Sequence, residues 1–101
     1  MSLPRLRVLS DKDPAEIITL TFDFSRLMDR IDAVADVSVQ SHKGEDDSPQ
    51  AMLLLDPVID GSRVLQLVQG GLDGVFYKMR VEVLVGHERY ALSAILPVRV
   101  Q

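Results

Sequence analysis

The clearest signal in the chain is a period of two. From Tyr77 the odd positions read Tyr77, Met79, Val81, Val83 and Val85, with Lys78, Arg80 and Glu82 between them, the alternation of a strand with one wet face. Gly86-His87-Glu88 is a turn, after which Tyr90, Leu92, Ala94, Leu96, Val98 and Val100 share one parity. Ile95 and Pro97 interrupt that pattern, and Pro97, which cannot donate to a ladder, marks an edge or a bulge. Upstream, Ile18, Leu20, Phe22 and Phe24 alternate with Thr19, Thr21 and Asp23, and Ala33, Ala35, Val37 and Val39 alternate with Asp36, Ser38 and Gln40. Residues 41–50 are polar and read as an exposed loop. Ala51 to Leu55 reads as a short buried strand ended by Asp56-Pro57; Asp60-Gly61 is a turn, Arg63 to Gln69 a further strand, and Gly70 to Gly74 a tight corner. With a short piece at Arg5 to Leu9 this makes about seven strands separated by turn signals, the pattern of an all-β sandwich.

Two segments compete with that reading. Asp13-Pro14-Ala15-Glu16 has the chemistry of a capping box, yet Ile17 to Phe24 is too β-branched and too alternating to continue a helix, so a single turn is expected. In residues 25–36, Leu27, Ile31, Val34 and Ala35 fall at i, i+4, i+7 and i+8, so a helical segment of two or three turns stands beside the strand reading there.

Length sets the scale. A chain of 101 residues and 11.2 kDa is expected to be one domain spanning 1–101, with Met1-Ser2-Leu3 readable as a cloning scar, and to hide about 65% of its unfolded surface. There are no cysteines, which removes disulfides, thiolate zinc sites and cysteine nucleophiles. Eleven basic against fifteen acidic residues leave a net charge of −4, giving no overall attraction to nucleic acid or anionic membranes. No apolar run approaches the length of a membrane span or a signal peptide, so synthesis in the cytoplasm is expected.

The candidate chemistry is thin. Gly70-Gly71-Leu72-Asp73-Gly74 lacks the helix that a phosphate loop requires after it. His42 stands near Glu45, Asp46 and Asp47, without the second histidine of a zinc site or the spacing of a calcium loop; His87 lies in a turn beside Glu88 and Arg89. Of five aromatics, Phe76 alone falls off the core parity, so no stacking platform is assembled. No catalytic, cofactor-binding or metal-ligating residue is assigned, and no cofactor is expected.

Gly70 to Phe76 followed by Tyr77 and Met79 resembles the tyrosine corner of immunoglobulin-like domains, which implies a Tyr77 hydroxyl bonded back to the corner and Met79 in the place of the disulfide cysteine. Lys12-Asp13-Pro14, the run Glu16 to Asp23, Gly70-Gly71, Gly74, Tyr77, the Gly86 turn and the final Val98-Arg99-Val100 together resemble a family of small phage and prophage virion proteins with an immunoglobulin-like fold. The chain departs from that pattern in having no tryptophan before the double glycine and middle strands richer in leucine than in threonine, which leaves the place in the virion unassigned. The resemblance implies an immunoglobulin-like sandwich and a non-enzymatic tail, fibre-attachment or head–tail accessory module. Its partners would be other virion proteins, and multiple copies or a homo-oligomer are implied. A small-ligand or carbohydrate-binding sandwich is the alternative.

Three structural expectations follow. The core should hold Leu20, Phe22, Val37, Leu54, Leu67, Tyr77, Met79, Val81, Val83 and Leu92. The Tyr77 hydroxyl should meet the backbone between Leu72 and Gly74. The last strand, Tyr90 to Val100, should offer an assembly surface through an outward Ile95 if it lies at a sheet edge.

Overall fold

The structure is a computed structural model that describes residues 6–101. Regular alternation becomes strand: β1 (Leu6–Val8), β2 (Ile18–Asp23), β3 (Ala33–Lys43), β4 (Leu53–Asp60), β5 (Arg63–Val68), β6 (Phe76–Val85) and β7 (Glu88–Pro97), with one 3-10 turn at Pro49–Met52. They form a four-stranded sheet in the order β1-β7-β6-β3 and a three-stranded sheet in the order β2-β5-β4. All neighbours are antiparallel except β1, which runs parallel to β7. The sheets close as a β-sandwich over Leu20, Phe22, Phe24, Val64 and Val68 from one side and Val39, Tyr77, Met79, Val81, Val83, Ala94 and Leu96 from the other.

Four expectations are corrected. Residues 25–36 form no helix: Leu27 and Met28 N–H both donate to the Phe24 carbonyl (2.8 and 3.1 Å), and Ile31 and Asp32 N–H then turn to Gly61 and Leu84 (both 3.0 Å). A short helix gains little by itself, whereas Ala33 onward gains a full ladder with β6. Asp56-Pro57 does not end its strand, because β4 absorbs it in a bulge between Leu54 and Val58, where Leu55 takes φ +62°.

Parity in β5 is the reverse of the one expected. Val64, Gln66 and Val68 point inward, so Leu67 and, across the ladder, Leu54 are only half-buried, as are Val37 and Leu92. Gln66 faces the core, 1% exposed, because its amide has work there: it donates to the carbonyls of Leu54, Leu55 and Leu67 at 3.3, 3.2 and 2.9 Å and so holds the β4 bulge. Gln66→Leu keeps the volume but strands those carbonyls, and chemical denaturation is expected to show a loss of about 1–3 kcal/mol.

Finally, β7 is not an edge. It lies between β1 and β6, and Ile95 is 4% exposed, so the expected assembly surface does not exist there. Leu6–Val8 of β1 cover that side of β7; the sequence marks a short strand there but not which strand it joins.

Candidate functional site

Lys12, Asp13, the Gly70 corner and Tyr77, all singled out in the sequence, gather at one end of the sandwich. Lys12 N–H donates to the Pro97 carbonyl (2.9 Å) and Arg99 N–H to the Lys12 carbonyl (2.8 Å), which lays Lys12 beside Val98. Its ammonium then reaches inward and donates to the carbonyls of Gly70 (2.7 Å) and Asp13 (2.9 Å). The side chain is 0% exposed, and burial lowers its pKa against the raising influence of Glu16 and Asp13. Beside it, Asp13 to Glu16 makes the single turn expected: Asp13 N–H donates to Glu16 Oε1 (2.7 Å) and Ala15 N–H to Asp13 Oδ1 (2.8 Å). Asp13 Oδ2 accepts the Gln101 N–H (2.9 Å) and Asp73 Oδ1 the Val100 N–H (3.0 Å), so the last two residues are tied to this corner.

Tyr77 does what was expected and more. Leu72 N–H donates to its hydroxyl (2.8 Å), and the hydroxyl donates to Asp46 Oδ2 (2.6 Å). Asp46 had been read as part of an exposed acidic loop; its role could not be seen because it acts across 31 residues of sequence. Tyr77 and the Ser48 N–H hold the Asp46 carboxyl below its usual pKa, while burial first and Asp46 second push the phenol up to about 12. A carboxyl with a depressed folded pKa stabilises fully above 3.8 and loses that contribution as pH falls through the folded value; a phenol with a raised pKa does the opposite on the alkaline side. Tyr77→Phe is expected to cost about 1 kcal/mol in urea melts near neutrality and to give a shallower loss of stability between about pH 5 and about pH 2 than wild type.

His42 lies exposed on β3 and His87 exposed in the β6–β7 turn, and no group of three or more His, Asp or Glu side chains able to hold a metal forms among the described residues. Phe76 is half-buried, with Lys43 Nζ 5.7 Å and Arg99 Cζ 5.6 Å from its ring centre.

The open feature of the molecule lies elsewhere, along the side where the two sheets part. A groove of about 370 Å³ runs there, lined by every residue of β2, by Arg7, Leu9 and Ser10 from the β1 side, by Leu92 to Ala94 of β7, and by Ser25 to Leu27. A cavity that touches every successive residue of a strand follows its edge rather than one face. Arg7 pairs with Ala94 in the ladder and therefore faces the same way, toward the groove. Asp23 stands between Arg7 and Arg63, its pKa lowered by the Ser25 N–H and hydroxyl before these charges. No sequence signal marked this groove, since it exists only where β1 and β2 come to lie in different sheets.

A family model described as podophage GP4 fiber-tail adaptor protein gp77 matches residues 12–96. The chain belongs to this family. Membership makes it a structural phage protein, in keeping with the tail and fibre-attachment character that the sequence resemblance implied. The span matched by the gp77 adaptor family begins at Lys12 and takes in β2 to β7, hence the corner that Lys12 ties to Gly70 and the β2 and β7 walls of the groove. Comparison with curated proteins and with solved structures found no match. Among the described residues no helix is long and apolar enough to cross a membrane.

Proposed function

We propose that this protein is a non-enzymatic adaptor that acts through protein–protein contacts inside a phage particle, in several copies, on a single immunoglobulin-like domain. The observation that carries the reading is the gp77 fibre–tail adaptor match over residues 12–96. The strand order supports the immunoglobulin-like part: second, fifth and fourth strands in one sheet and third, sixth and seventh in the other match the constant type except that β1 joins the second sheet, beside β7, and the Tyr77 hydroxyl bonded to Leu72 N–H matches its tyrosine corner. Shape supports the rest. A small rigid sandwich presents surfaces instead of a deep cleft, and repetition in a symmetric particle turns weak single contacts into stable attachment. A net charge of −4 keeps the free subunit soluble until its partners are present.

Particles purified from phage carrying or lacking the gene test this. The protein is expected among the virion proteins by mass spectrometry, and its removal is expected to yield particles without attached fibres. Absence from wild-type particles, or fibres retained on particles that lack it, overturns the adaptor reading.

A further inference from the structure

The four edge strands are not equally protected. Of β1 only Leu6–Val8 is described; β3 is broken by register shifts at Val34/Asp36 and Ser41/Lys43; β4 carries a bulge, Pro57 and Leu55 at φ +62°. Short length, bulges and proline are the devices that keep an edge from pairing with another chain. β2 has none of them: six residues in unbroken register with β5, without proline or lysine. Phe24 N–H donates to the Ser62 carbonyl on the β5 side (2.9 Å). By the alternation of an antiparallel ladder, Thr19, Thr21 and Asp23 turn their N–H and C=O to the free edge, which is where the groove lies.

We infer that the β2 edge binds an extended segment of a second virion protein as an added strand, with alternate apolar side chains entering the groove and a carboxylate at the end nearest Asp23. This rests on the adaptor reading. The carboxylate follows from charge: Arg7 and Arg26 line the groove with Asp23, Arg63 lies opposite Asp23 in the ladder, and none of the three forms an ion pair among the described residues. The end of the groove is thus cationic on a protein that is anionic as a whole. A second copy of this chain fits less well. Leu20 and Phe22 of its own β2 already fill its own core.

Hydrogen exchange compares the free protein with the protein in intact particles, alongside cross-linking. The expected result is that the outward amides of β2, those of Thr19, Thr21 and Asp23, exchange quickly in the free protein and are protected in the particle, with Arg26 cross-linked near an acidic segment of a different protein. Thr21→Pro removes only an outward N–H, so the monomer is expected to stay folded; Thr21→Pro and the charge reversal Arg26→Glu are each expected to weaken incorporation about tenfold. Protection of the Thr19, Thr21 and Asp23 amides already present in the free monomer, protection accompanied by cross-links to a second copy, or incorporation unchanged in both variants overturns the inference. A protein found in particles with β2 unprotected leaves the adaptor reading standing and removes this surface alone.

Discussion

Gly71→Ala is expected to destabilise the protein by about 3 kcal/mol, read from urea denaturation midpoints, and to do so through two separate causes. Gly71 sits at φ +94°, where any side chain is strained, and a β-carbon there falls 2.8 Å from Val98 Cγ2 and 3.2 Å from Met52 Cε. Val98 is fully buried and cannot retreat without breaking its own bonds, since its N–H donates to Val75 and its carbonyl accepts from Gly74. Gly70→Ala is the control. Gly70 also has positive φ, +62°, but nothing lies within 4 Å of its missing β-carbon, so about 1 kcal/mol is expected from conformation alone. Equal costs at the two positions would show that the close approach to Val98 contributes nothing.

The second large effect belongs to Lys12. Lys12→Ala removes a fully buried side chain and both of its hydrogen bonds, and a loss of about 2–4 kcal/mol is expected. Lys12→Met keeps the packing and removes only the ammonium, stranding the Gly70 carbonyl, for about 1–2 kcal/mol. The two are separated by pH. Because burial lowers the folded pKa of Lys12 below 10.5, the unfolded chain binds more protons over the interval ending at that value, and stability rises with pH across it. That rise is expected in wild type as pH approaches 10.5 from below and is absent in Lys12→Met. A wild type with flat stability there would mean that the buried ammonium carries no penalty.

Much of the fold is legible along the chain. β2, β6 and the turns at Gly61 and Gly86 can be read because alternation and turn chemistry are local, set by the side-chain period of a strand and by the few residues that accept positive φ. Tyr77 and its link to the corner are legible for the same reason, being five residues apart. Reading fails where a residue's role depends on a distant partner. Gln66 looks like the wet side of a strand until the carbonyls of the β4 bulge are set against it, and Leu67 looks like core until that happens. Lys12 stands in the sequence only as part of the Lys12-Asp13-Pro14 run, and the arrival of Gly70, 58 positions later, is what makes it a buried donor.

By itself, then, the amino-acid sequence determined that this chain is a strand-rich sandwich with one tight glycine corner, because backbone period and turn propensity act over a few residues and need no partner. The tertiary structure alone decided which strands are edges. Whether β2 or β7 lies open depends on where the three residues of β1 dock, an event that couples chain positions some 87 apart, as in the pairing of Leu6 with Ser93. Hydrophobic pattern determines which face of a strand is wet but says nothing of which side of it lacks a neighbour, since the hydrogen-bonding edge is the same backbone whatever the side chains.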